Sequence, residues 1–249
     1  MDILSVGNSF SQDAQRYLHG IARSAGVNLN CYNLYIGGCP LSRHYRNMLS
    51  EERAYTLEMN GVSTGFAVSL KEAVLNRDWS VITLQQASNK SPDFETYKPY
   101  VRALASYVSE CVPSAKIVIH QTWGYEDGYH RLTEELKYSC HADMFEDVRA
   151  AYELAARDAV ASCIFPSGEV MAQLVKNGVK VHRDGFHLSL GIGRYAAALT
   201  WFKMLTGMDV SSVSFSDFDV PVSDEEISLA KSTVNKVCGE YREKIILPF

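Results

Sequence analysis

Several features are missing from this 249-residue sequence, and each absence removes a class of function. No stretch of 18 apolar residues occurs, which excludes an ordinary transmembrane helix and argues against a membrane partner. No basic run occurs either, and 24 Lys and Arg against 29 Asp and Glu give a formal charge of -5. The electrostatic footprint of a nucleic-acid or anionic-membrane binder is therefore lacking. The amino terminus, Met1-Asp2-Ile3-Leu4-Ser5, has neither the basic segment nor the long apolar stretch of a secretory signal. The six cysteines, Cys31, Cys39, Cys111, Cys140, Cys163 and Cys238, contain no C-x-x-C pair. Scattered in apolar surroundings such as Ala161 to Phe165, they read as reduced thiols, and the expected location is the cytoplasm.

The chemistry-bearing motifs thin out in the same way. The histidines, His19, His44, His120, His130, His141, His182 and His187, form no H-E-x-x-H and join no cysteine at ligand spacing. Neither a metal nor a cofactor is expected. No G-x-S-x-G elbow is present, which argues against an ordinary α/β-hydrolase. Gly191-Ile192-Gly193-Arg194-Tyr195-Ala196 matches a dinucleotide fingerprint as a string, but it follows no predicted strand.

What is present is an alternation of apolar runs and helical periods along one undivided domain, 1–249. Strands are predicted at 2–6, 27–36, 80–84 and 116–120, with a fifth ending over 163–166. Helices are predicted from Ser11, as N-cap, to Ala25, then over 97–111, 132–159, 169–176 and 190–206. Ser223 to Glu226 is a capping box opening a last helix around 224–244. Asn60-Gly61 between two β-prone runs predicts a hairpin inserted around 53–68. Strands alternating with helices imply an α/β fold with a parallel sheet covered on both faces, whose ligands bind at the carboxyl ends of the strands.

Those ends carry polar residues and glycines. After the first strand stands Ser9, where a hydroxyl is exposed at the start of a helix whose free amides can stabilise an oxyanion. A serine there can equally just cap the helix. Gly37 and Gly38 follow the second strand and can present backbone N–H groups, or make a plain turn. Gln85 and Gln86 follow the third, as amide donors or as a solvated loop. His120, Gln121, Trp123 and Tyr125 follow the fourth and could form a wall for a carbohydrate, or belong to the core. Near the end, Asp184 and His187 are spaced so that the carboxylate can hold an imidazole N–H. Each signal alone is common; together they supply every part of an acyl-transfer site.

In these blocks the sequence resembles the SGNH/GDSL-type hydrolases. Gly7-Asn8-Ser9-Phe10-Ser11 stands where that superfamily has Gly-Asp-Ser, Gly38 stands at its second block, and Asp184-x-x-His187 at its last. It is most similar to the branch termed DUF4886, a domain of unknown function, through Ile3 to Gln12, Leu34 to Leu41, Leu84 to Ser88 and His120 to Tyr125. The resemblance implies a flavodoxin-like three-layer α/β/α sandwich with a five-stranded parallel sheet. It also implies Ser9 as nucleophile, His187 as base and Asp184 as its orienting acid. The oxyanion donors would be the N–H groups of Ser9 and Gly38 with Gln86, or Gln85, as the side-chain donor. The superfamily's Gly-x-Asn-Asp block is absent here, and Gln85-Gln86-Ala87-Ser88 occupies its place.

The expected function is thus a serine esterase removing a small O-acyl group, such as acetyl, from a small molecule or carbohydrate. Asn8, His120, Gln121, Trp123 and Tyr125 are the expected substrate contacts, with Arg43 and His44 at the rim. Two other readings stand beside it: a carbohydrate- or metabolite-binding protein without turnover, and a thioesterase or lysophospholipase using the same site.

Overall fold

The computed structural model describes residues 1–244. Seven strands, β1 (Asp2–Gly7), β2 (Asn30–Tyr35), β3 (Tyr55–Met59), β4 (Val62–Val68), β5 (Val81–Leu84), β6 (Lys116–His120) and β7 (Cys163–Phe165), form one sheet in the order β4-β3-β2-β1-β5-β6-β7. The helices in chain order are α1 (Ser9–Gln15), α2 (Leu18–Ser24), α3 (Leu41–Ser50), α4 (Leu70–Val74), α5 (Tyr100–Cys111), α6 (His141–Asp158), α7 (Ser167–Lys176), α8 (Ile192–Thr206) and α9 (Asp224–Lys244). No described helix is long and apolar enough to cross a membrane, and no disulfide forms among the described residues.

The parallel strands are short and apolar because both their faces are covered. Alternation along β1 divides them: Ile3 enters a core with α1, α2, α7, α8 and α9, while Leu4 and Val6 enter a second core with α3 to α6. The result is a three-layer α/β/α sandwich. Five strands, β2-β1-β5-β6-β7, are parallel. The sheet has seven strands rather than five because the hairpin does not stand apart. Asn60 and Gly61, at φ 52° and 78°, make its tight turn, and β3 then pairs antiparallel with β2 from Tyr32↔Met59 to Tyr35↔Thr56.

Other boundaries also move. The first helix starts at Ser9 with Asn8 as N-cap, not at Ser11, and it breaks after Gln15. Ser11 instead completes a capping box with Asn8. The helix predicted over 132–159 is two pieces, a short π-type turn at Arg131–Glu135 and α6, separated where Lys137 takes a left-handed φ of 65°. From β1 the chain moves to β2 on one side, whereas β5 pairs on the other, so the carboxyl end of β1 is the topological switch point.

Candidate active site

Ser9 occupies the first position of α1, directly after β1 and its N-cap. Gly7 is required there because a Cβ would lie 1.9 Å from Ser11 Oγ and 2.8 Å from Asn33 Oδ1. Those atoms are the cap itself: the Asn8 N–H donates to Ser11 Oγ at 3.0 Å, and the Ser11 hydroxyl lies 2.8 Å from both Asn8 O and Asn33 Oδ1. The capped turn presents a half-buried Ser9 whose N–H, like others of a first turn, has no i−4 carbonyl to meet.

Ser9 Oγ is 2.9 Å from His187 Nε2, and His187 Nδ1 is 2.7 Å from Asp184 Oδ2. The residues are 178 apart in sequence, and the 184–187 loop carries the acid and imidazole to the helix start. Asp184 Oδ1 accepts the N–H of His187 at 2.9 Å and that of Phe186 at 3.4 Å, which fixes the carboxylate's other face. Burial pushes the Asp184 carboxyl up, but the hydrogen bonds from the His187 ring and backbone and that from the Phe186 backbone outweigh this and hold it below its ordinary range. Because an ionised Asp184 only accepts, Nδ1 carries the proton and Nε2 is free to accept the Ser9 hydroxyl.

Gly38 sits in the turn Ile36 to Cys39, closed by the Cys39 N–H on Ile36 O at 3.2 Å, and takes the left-handed φ of 60° that glycine adopts without strain. Asn8 Nδ2 donates to Cys39 O at 3.2 Å, which draws this turn against the start of α1.

The other expected contacts lie elsewhere. Asn8 is buried, and its Oδ1 accepts from Phe10 N at 2.9 Å and Gln85 Nε2 at 2.7 Å. Its side chain is spent on the cap, on Gln85 and on Cys39, not offered to a substrate. Gln85 in turn accepts from His120 Nδ1 at 2.7 Å, and His120 Nε2 meets Ser167 Oγ at 3.2 Å. A buried chain of hydrogen bonds thus runs along the carboxyl ends of the strands from Ser167 to Cys39. His120 within it is held neutral by burial, its pKa pushed down to about 3. Gln86 spends both amide hydrogens on Thr96, at 2.9 and 3.1 Å, and its carbonyl accepts from Leu41 N and Ala87 N. It is a strut between loops rather than an oxyanion donor.

The expected carbohydrate wall is likewise internal. Trp123 and Tyr125 are fully buried, Trp123 stacking on Phe10 at 4.4 Å and donating to Phe186 O at 2.8 Å. Tyr125 OH bonds Ser88 Oγ at 2.8 Å, and Gln121 Oε1 accepts Glu169 N at 3.2 Å. His44 is buried against Tyr55, while Arg43 beside it is exposed. Aromatic residues at a strand end fit a core as well as a ligand, and here the layer over β6 claims them. The rings that flank His187 are the buried Phe10, at 5.9 Å between centroids, and Phe186, at 3.9 Å; Tyr129 stacks in turn on Phe186 at 5.9 Å, and Phe186 and Tyr129 are half-buried. Neither had a periodic or motif signal of its own.

Comparison with known families follows the same blocks. Residues 2–236 match the family model described as a domain of unknown function, DUF4886. The chain belongs to that family. A DUF4886 family protein from Bacteroides uniformis, 29% identical, superposes with a TM-score of 0.88 over 99% of this chain and 97% of its own. A candidate SGNH hydrolase from Slackia heliotrinireducens, 22% identical, gives 0.59 over 82% of this chain and 98% of its own. An acetyl xylan esterase from Geobacillus stearothermophilus, 13% identical, gives 0.50 over 89% and 97%. At those identities the last two show the fold alone, which for this DUF4886 member is the SGNH hydrolase fold. Comparison of the sequence with curated proteins finds no match.

Proposed function

We propose that this DUF4886 protein is a serine ester hydrolase of the SGNH kind, with Ser9 as nucleophile, His187 as general base and Asp184 as orienting acid. The observation that carries the reading is the continuous chain Ser9 Oγ, His187 Nε2, His187 Nδ1, Asp184 Oδ2, at 2.9 and 2.7 Å. In that geometry His187 takes the Ser9 proton as Oγ attacks the ester carbonyl, then returns it to the departing alcohol. The backbone N–H groups of Ser9 and Gly38 receive the negative oxygen. Gln86 has no part in this, and Gln85 contributes by holding Asn8 and, through it, the Gly38 turn.

The acyl group in this reading is small, acetyl-sized, in keeping with the acetyl xylan esterase whose fold the chain shares. The alcohol part is carbohydrate-like. Its support is the half-buried Phe186 against His187, with half-buried Tyr129 stacked on it, aromatic rings of the kind that pack on sugars, together with the fold shared with the acetyl xylan esterase.

The test is p-nitrophenyl acetate hydrolysis by wild type and Ser9→Ala, followed by esters of increasing chain length and acetylated xylo-oligosaccharides. Turnover lost in Ser9→Ala and declining with chain length is expected. Equal rates in both proteins would refute the enzyme, and a long-chain optimum would move the substrate to lipids. Rapid labelling of Ser9 by a fluorophosphonate separates the enzyme from a binding protein on the same scaffold, since an unactivated serine does not react.

A further inference from the structure

We propose that Asp13 is a positioning residue that clamps the acid–base loop onto the helix of the nucleophile, an inference that rests on the reading of Ser9, His187 and Asp184 given above. Asp13 stands one turn after Ser9 on α1, so both project from the same helix face. Its side chain has 0% exposure. The carboxylate takes Arg183 Nη1 at 3.0 Å on both oxygens, Arg194 Nε at 2.8 Å on Oδ1, and the Leu188 N–H at 3.0 Å on Oδ2.

Two of these donors bracket the reacting loop. Arg183 immediately precedes Asp184, and Leu188 immediately follows His187. Arg183 also closes the loop on itself: its Nη1 donates to Leu188 O, and its N–H donates to His187 O at 3.0 Å. The loop therefore arrives at Ser9 already tied at both ends to one fully buried anion.

Asp184 alone is poorly placed to fix the imidazole. Its side chain is 44% exposed, and it travels with His187 on the same short loop. It can orient the ring within the loop but cannot hold the loop against α1. Stability alone does not account for Asp13 either, since apolar residues often replace a buried ion pair without loss. What an apolar residue cannot do is accept the Leu188 N–H and the Arg183 guanidinium together. The 2.9 Å approach of Nε2 to Ser9 Oγ depends on that anchor.

The experiment compares Asp13→Asn with wild type in p-nitrophenyl acetate turnover, thermal stability and amide exchange at Leu188. Asp219→Asn serves as control: it weakens the Arg16 and Arg194 pairs but makes no contact with the 183–188 loop. A misplacement of about an ångström costs about 10²-fold in rate. Asp13→Asn should therefore lower kcat by about 10²-fold, leave KM within about threefold, and speed Leu188 exchange at least about tenfold. Asp219→Asn should keep kcat.

A merely structural Asp13 would make the two variants alike below their melting temperatures, and that result overturns the proposal. So does wild-type kcat with wild-type Leu188 protection in Asp13→Asn. Should Asp13→Asn fail to fold, Arg183→Ala removes one arm of the clamp and is held to the same criteria. If wild type hydrolyses no ester, the proposed function falls. The clamp is then decided by exchange of the Leu188 amide and the His187 Nδ1 proton alone, with unchanged protection counting against it.

Discussion

Replacing Asp184 by asparagine should reverse the polarity of the hydrogen-bond chain that ends at Ser9. Oδ1 of Asp184 accepts two backbone N–H groups, from His187 and Phe186, so the amide oxygen of the variant takes that place. The amide nitrogen is then left at the Oδ2 position, 2.7 Å from His187 Nδ1. Facing a donor, Nδ1 becomes the acceptor and the ring proton moves to Nε2, 2.9 Å from Ser9 Oγ. His187 would then donate to Ser9 instead of drawing off its proton. At a buried acid such a tautomer change costs on the order of 10⁴ in kcat. Asp184 is 44% exposed, and an asparagine there can turn partly toward water. The expected loss is about 10³-fold, or about 4 kcal/mol of barrier.

Asp184→Ala should do less harm, about 10-fold to 10²-fold, because water can accept the Nδ1 proton and only orientation is lost. The closer mimic of aspartate is thus expected to be the worse enzyme. Neither variant should lose more than about 1 kcal/mol of stability, since the acid is substantially exposed. The assay is kcat and KM on p-nitrophenyl acetate near neutral pH, with ring ¹⁵N shifts of His187 reporting which nitrogen is protonated. Asp184→Asn turning over as fast as Asp184→Ala, or a ring still protonated at Nδ1, would refute the reasoning.

Three further outcomes are expected. Gln86→Ala should cost about 1–3 kcal/mol, because it strips buried partners from Leu41, Ala87 and Thr96, while kcat changes less than about threefold. Urea melts beside kinetics check this, and a fall of about 10²-fold would return Gln86 to the oxyanion hole. Gly7→Ala should destabilise by about 3 kcal/mol or more and depress turnover with it, since the new methyl overlaps Ser11 Oγ in the cap beneath Ser9. Unchanged melting and kcat in that variant would contradict the packing described. Buried His44 and His120 have pKa values pushed from 6.5 to about 3, so the unfolded chain binds more protons than the folded one between those values. Their contribution to stability is complete above about pH 6.5 and is lost as pH falls toward 3, at about 1.4 kcal/mol per pH unit for each. Thermal melts from pH 7 to 4.5 should slope accordingly, and His44→Gln should flatten the slope; equal slopes would count against burial of the neutral ring.

The strand ends were legible because parallel strands covered on both faces must be short apolar runs, and in such sheets the chemistry collects just past them. Ser9 and Gly38 could be picked out on that basis, since a residue's place relative to a strand end is a local property, and Asp184 and His187 by their spacing just ahead of a helix, which is local too. Which way a side chain points past that end is not local. Gln85, Gln86, His120 and Asn8 have the right types for a ligand site, yet neighbouring loops consume their donors and acceptors. Trp123 and Tyr125 are covered by the Phe186 loop, about 60 residues away in the chain, and Tyr125 also by Arg131 of the nearby Arg131–Glu135 turn. Asp13 had no legible signal because its partners Arg183 and Arg194 are 170 and 181 residues away. The hairpin's turn was written in Asn60-Gly61, whereas its pairing with β2 needed the sheet edge to exist first. The alternation of elements and the residue types at the sheet's carboxyl edge are set locally, by the order of residues along the chain. Which polar groups remain free for chemistry is settled by long-range packing, because a buried donor or acceptor is claimed by whatever packing brings nearest.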